Sequence, residues 1–168
     1  EMPDLYSAGE YDLAGTVVGV VDRAQIVNGE QVRSGDLLIG VPSSGLHTNG
    51  YSLARNVLFS TFDVNDHVEE LGVTVGSELL KVHRSYLALI RRLHGEGLAT
   101  GFSHITGGGI EGNTSRILRQ EGLRLQIDWE AWDRPAIFNL IERLGSVPEP
   151  DMRQTFNLGV GMVVTCRA

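Results

Sequence analysis

Residues 98–119 read LATGFSHITGGGIEGNTSRILR, and the fold turns on how this stretch is parsed. Its first part, Leu98–Thr106, has the apolar and β-branched character of a strand, and the helical pattern Ile110–Arg119 follows at once. Between them stand three consecutive glycines, Gly107, Gly108 and Gly109. Glycine buries no side chain and loses the most backbone freedom on folding, so a glycine triplet suits a close backbone approach and not a packed core. Strand, glycine loop, helix is a unit in which unpaired N–H groups and the helix dipole favour an anion.

The same order occurs earlier. DLLIGVP (Asp36–Pro42) is strand-like, SSGLHTNG (Ser43–Gly50) is a polar loop, and YSLARNVLFS (Tyr51–Ser60) is helical, with Leu53, Val57 and Leu58 on one face. Further along, Gly76 to Leu93 carries apolar residues at helical spacing and is expected as one long amphipathic helix stopped by Gly95 and Gly97. GLRLQID (Gly122–Asp128) alternates as a strand does. RPAIFNLIERLG (Arg134–Gly145) is a helix with Pro135 in its first turn, VPEPDMRQTF a short helix or turn, and NLGVGMVVTC (Asn157–Cys166) a closing strand. Tyr11–Val27 reads as a buried strand, and Phe62–Val75 has no clear periodicity. Alternating strands and helices predict an α/β (α+β) fold, a mixed sheet covered by helices. The turn-rich Asn28–Asp36 is the one linker-like segment, so residues 1–34 are expected to be the tail end of a preceding domain and 35–168 a second one. Both chain ends read as cut.

Composition excludes several classes. Of the 168 residues 42% are hydrophobic and 21% charged, the ordinary globular range. The net charge of −7 provides no basic footprint for nucleic acid, and no run approaches the roughly 20 apolar residues of a membrane span. The expected setting is therefore the cytoplasm. Cys166 is the single cysteine, which rules out an intrachain disulfide, and no Cys/His spacing resembles a zinc site. His67, His83 and His94 likewise show no metal-ligand spacing, so no metal ligand is expected in the chain.

The polar residues that carry chemistry sit in the two loops. Ser43, Ser44, His47, Thr48 and Asn49 supply hydroxyls, an imidazole and an amide, the neutral groups that orient a polar substrate. Asn49 also suits a helix cap. No acid is placed to orient His47, so no Ser/His/acid triad is legible. His104, three residues before the glycines, stands where an imidazole can meet an anion or move a proton. Thr106–Gly109 lacks the lysine and Ser/Thr of a P-loop. In FNLGVGM (Phe156–Met162) alternate glycines leave bare patches on a strand, for a packed helix first and a ligand second.

Taken together and in order, EMPDLY, YDLAGTVVGVV, SGDLLIGVPSSGLHTNGYSLAR, HITGGG and TFNLGVGM resemble the phosphoribosylformylglycinamidine cyclo-ligase family, the aminoimidazole ribonucleotide synthetases of de novo purine synthesis. Selenophosphate synthetase and thiamine-monophosphate kinase share the fold and glycine loop in looser form and define the alternative, a related ATP-dependent kinase or synthetase. A non-catalytic binding module is the other alternative for these residues alone. The resemblance implies two α/β domains per subunit, a homodimer built through the first, and an ATP- and Mg²⁺-dependent ring closure of formylglycinamidine ribonucleotide. In that reaction the formyl oxygen is activated as a phosphate ester, the amidine nitrogen attacks the carbon, and phosphate leaves. It covers roughly half of the family's length, with most nucleotide and metal motifs expected before Glu1.

Residue by residue, Glu1 corresponds to the end of the family's GGETAEMP segment and is the one nucleotide-side candidate. His47, Thr48 and Asn49 fall on HSN, and His104 and Gly107–Gly109 match outright. The resemblance thus implies His47 and His104 as catalytic candidates, and Ser44, Thr48, Asn49, Thr106, Gly107, Gly108, Gly109 and Asn113 as contacts to the phosphorylated ribonucleotide. Gly112 and Ser115 replace a glutamate and a proline of the family pattern. VHRSY keeps Arg84 and Tyr86 of PTRIY and loses its proline.

Overall fold

The computed structural model of the chain describes residue 11 and residues 14–168. Glu1 lies outside the described residues. Three strands form the main sheet: β1 (Leu37–Pro42), β4 (Ala99–His104) and β5 (Val160–Cys166), in the order β1-β5-β4. A small hairpin pairs β2 (His67–Val68) with β3 (Val73–Thr74). Every pair is antiparallel, where a mixed sheet was expected, and with the helices this makes an α+β domain.

The central strand is the last in sequence. β5 is apolar along its length and buried from Val160 to Thr165, as a strand paired on both edges and covered on both faces must be. It runs against β1 from Leu37↔Cys166 to Pro42↔Val160 and against β4 from Ala99↔Cys166 to His104↔Met162. Because β5 is antiparallel to both neighbours, β1 and β4 run in the same direction. Their C-terminal ends therefore emerge at one end of the sheet, on either side of the start of β5.

Helices α1 (Tyr51–Leu58), α5 (Ala136–Gly145) and α6 (Glu149–Thr155) enclose the largest core, around the fully buried Leu58, Phe138, Ile141, Met152 and Phe156. A second apolar group joins Val160 and Val163 of β5 to Ile105 and Ile110, and a third packs Met162 and Val164 under Tyr86, Ile90 and Leu93. No helix among the described residues is long and apolar enough to cross a membrane.

Three local expectations give way to tertiary context. Residues 14–27 form no strand beyond a short 3-10 turn, and Val17 and Val20 are fully open to solvent. A strand needs a neighbour for its N–H and C=O groups, and no described segment offers one. Gly122–Asp128 is irregular for the same reason. The long helix from Gly76 divides into α2 (Val75–Leu79) and α3 (Leu87–Gly95), with an extended stretch between them that leaves Leu80 and Val82 more than four-fifths exposed. What holds that stretch straight is its attachment to the site. The remaining helix, α4 (Gly109–Thr114), follows the glycine triplet and continues as a 3-10 turn over Ser115–Ile117.

Candidate functional site

The two polar loops meet at the shared end of β1 and β4. Asn49 Oδ1 accepts a hydrogen bond from the Gly107 N–H at 3.0 Å, across 58 residues of sequence. A third segment crosses this end, the extended run between α2 and α3. Ser44 Oγ donates to the Val82 carbonyl at 2.7 Å and accepts from the Arg84 N–H at 3.1 Å. Arg84 Nη1 and Tyr86 Oη both donate to the Pro42 carbonyl at 3.0 Å. Two of these bonds occupy the Val82 carbonyl and the Arg84 N–H in place of helical bonds, and the other two anchor the Arg84 and Tyr86 side chains, which is why the helical spacing is overridden.

The consequence is a cluster of three imidazoles. The His83 ring stacks on His47 with centroids 3.8 Å apart and planes 19° apart, and its Nε2 lies 3.1 Å from His104 Nε2. Since two ring nitrogens at that distance share one proton, one of them donates and the other accepts. His47 is 3% exposed and sits in the left-handed backbone region with φ 55°, where non-glycine residues are uncommon. Its Nε2 accepts from the Ser44 N–H at 3.0 Å, which leaves the proton on Nδ1, a buried atom with no partner. Gly161 makes room for this arrangement: a Cβ there would overlap Tyr86 Oη and stand 2.6 Å from His47 Cε1. The bare strand patch thus receives side chains and not a helix.

Burial, followed by electrostatic repulsion from the neighbouring His83, His104 and Arg84 side chains, pushes the His47 imidazole down to about 4. Burial and then His104 lower His83 as well. Near neutral pH both rings are uncharged, able to accept a proton or a metal and unable to serve as fixed cations.

The glycine loop is hydrogen-bonded within the protein. All three of its N–H groups have partners: Gly107 donates to Asn49, Gly108 to the Gln154 carbonyl at 2.9 Å, and Gly109 to the Thr106 carbonyl at 3.1 Å. An anion would have to displace these bonds. Gly109 is required for packing, since a Cβ there would overlap the Arg153 carbonyl of α6, and its φ is +65°. Asn113 is 3% exposed and spends its amide on the carbonyls of Thr106, Gly107 and Gly109, while its Oδ1 accepts from Thr106 Oγ1 at 3.0 Å. Thr106 and Asn113, expected as substrate contacts, clamp the loop. Ser44 likewise spends its hydroxyl on the crossing segment. His104, Thr48 and Gly107 are the exposed members of the expected set.

His83 is the residue that sequence reasoning missed. Val82, Arg84 and Tyr86 alternate with His83 and Ser85, so a period-two reading of VHRSY was available beside the helical one. A cavity of about 1000 Å³ lies elsewhere, between β1, β5 and the irregular residues 118–135, and none of the three histidines lines it.

The family described as AIR synthase related protein, C-terminal domain, matches residues 33–168. The chain is 46% identical over 98% of its length to the phosphoribosylformylglycinamidine cyclo-ligase of Alkaliphilus oremlandii, and 47% identical over 98% to that of Desulfotalea psychrophila. It is 48% identical over 97% to that of Sorangium cellulosum. It covers 48%, 46% and 48% of those proteins, and so spans about half the length of the curated relatives it matches.

Proposed function

The chain belongs to the AIR synthase related protein family through its C-terminal domain, and from that membership we propose that it is the substrate-side domain of a phosphoribosylformylglycinamidine cyclo-ligase. The reaction is the ATP-dependent closure of formylglycinamidine ribonucleotide to aminoimidazole ribonucleotide, a carbon–nitrogen ring-forming ligation in purine biosynthesis. The observation that carries this reading is the near-complete coverage of the chain, at 46–48% identity, by proteins of that name.

Within the reaction, the amidine nitrogen must lose a proton as it attacks, and an imidazole exposed at a strand end can take it. His104 is that group. His83, sharing a proton with it, and the buried neutral His47 hold the relay in place, and Thr48 offers a hydroxyl beside them. Glu1 keeps its proposed nucleotide-side role.

The cluster's donors are nitrogen, whereas Mg²⁺ takes oxygen ligands, and no carboxylate among the described residues hydrogen-bonds to the three rings. These residues therefore do not fit a Mg²⁺ site. The ATP and Mg²⁺ ligands belong to the part of the relatives that the chain does not span, in keeping with a first domain that ends near residue 34 and carries the homodimer contact. A cytoplasmic enzyme fits this reading.

The test is turnover of formylglycinamidine ribonucleotide by the full-length protein carrying His104→Ala. Loss of a general base lowers kcat by about 10²–10⁴. Unchanged turnover removes His104 from the chemistry, and ADP release with selenide or thiamine phosphate alone replaces the substrate assignment.

A further inference from the structure

We propose that His47, His83 and His104 form a binding site for a divalent transition-metal ion of the zinc class. One ring nitrogen from each lies within 4.8 Å of those of the other two, and His83 and His104 are already at 3.1 Å. Nitrogens held about 2.0–2.1 Å from a tetrahedral ion are about 3.3–3.4 Å apart, so closing this site requires its side chains to move. Imidazole without carboxylate is the donor set that prefers zinc, cobalt, nickel or copper to magnesium or calcium.

His47 supplies the second observation. It is nine-tenths buried and more, and its Nδ1 has no partner in the protein. Its Nε2 lies 3.1 Å from Ser44 Oγ as well as from the Ser44 N–H. When Nδ1 gives its lone pair to a metal, the proton moves to Nε2, which gives up the Ser44 N–H as its donor and donates instead to the Ser44 hydroxyl oxygen. Such a hydrogen bond from the far nitrogen is how metal-bound histidines are oriented. Ser44 is in turn fixed by its bonds to Val82 and Arg84, on either side of His83.

One rearrangement is required. A ring nitrogen's lone pair lies in the ring plane, so two rings stacked at 3.8 Å and 19° cannot point at one ion. His83 must leave its stack. It is half-buried on the extended run between α2 and α3, where no preceding helical turn restricts its χ1. Three protein ligands leave a fourth position for water or an oxygen ligand. The Arg84 guanidinium nearby favours an anionic one.

A bound metal and the proposed general base would compete for the His104 lone pair, but the site is tested apart from the ring-closure reading, because its test needs neither ATP nor substrate. Titrating the 168-residue chain with Co²⁺ and following visible absorption, with Zn²⁺ by calorimetry, is expected to show one equivalent bound with the intense bands of a tetrahedral ion, undisturbed by excess Mg²⁺. His83→Ala and the exposed His104→Ala are each expected to weaken binding by more than about 100-fold, beyond the effect of outer-shell changes. His67→Ala, on the distant hairpin, leaves it unchanged, and thermal unfolding verifies that each variant folds. Absence of binding, displacement by Mg²⁺, or equal binding by the His83→Ala and His104→Ala variants would overturn the proposal.

Discussion

Asn49 and Gly107 join the two loops directly: the Asn49 Oδ1 accepts the Gly107 N–H at 3.0 Å, while the Asn49 Nδ2 is buried without a partner. The bond ties the start of α1 to the end of β4, and with it the backbone that carries His47 to the backbone that carries His104.

Asn49→Ala is expected to destabilise the domain by about 1 kcal/mol, because Gly107 is partly open and water replaces the lost acceptor. The local effect is larger. Amide hydrogen exchange at Gly107 should accelerate, while Gly108, bonded to the Gln154 carbonyl, keeps its protection. Unchanged protection at Gly107 would show that the bond does not hold the loop.

The glycines around α4 are not equivalent. Gly109→Ala places a Cβ into the Arg153 carbonyl at a positive φ and should cost about 3 kcal/mol or more. Gly107→Ala meets only the Asn49 Oδ1 at 3.8 Å and should stay within about 0.5 kcal/mol of wild type. Gly112→Ala, with nothing within 4 Å on a helix interior, should stabilise by about 0.5–1 kcal/mol. Urea denaturation of the three variants checks the order.

Gly161→Ala crowds Tyr86 Oη and His47 Cε1 together, so a cost of about 1–3 kcal/mol is expected. The imidazole resonances of His47 and His83 should shift in the same variant. A stable protein with unmoved histidine resonances would mean that Gly161 does not shape the cluster.

Glu149 bridges α6 to the segment before α5. It accepts from Arg134 Nη2 at 2.7 Å and from Arg153 Nε at 2.7 Å, and the Arg134 bond is the main reason its carboxyl sits below the ordinary value of 4.5. Its contribution is therefore complete above 4.5 and is lost as the pH falls through the lower native value. Glu149→Gln should be less stable than wild type at neutral pH, and the gap should narrow on acidification below 4.5. A gap independent of pH would assign the loss to geometry and not to charge.

Much of the fold was legible from local pattern. Strand-like runs located β1, β4 and β5, and helical patterning located α1 and α5, because the solvent-facing and core-facing positions of an element repeat along its own sequence. The loops also announced their chemistry: His47 and His104 stand where a strand ends and side chains reach past the sheet. Elements whose state depends on a distant partner were not legible in this way. Tyr11–Val27 has the residues of a strand, but its described part, residues 14–27, has no strand to pair with; Leu80–Tyr86 has the spacing of a helix and is held extended by Ser44 and Pro42.

The sequence by itself determined which residue types are present and which short stretches turn, coil or extend, since propensity, periodicity and turn chemistry act over a few residues. Only the tertiary structure decided that β5, last in the chain, runs between β1 and β4 and so brings their loops to one end. It also decided that the Gly107 and Gly108 N–H groups are spent on Asn49 and Gln154 and that His83 joins His47 and His104. Each of those outcomes is a choice of hydrogen-bonding or packing partner tens of residues away, and no local window of sequence contains both members of the pair.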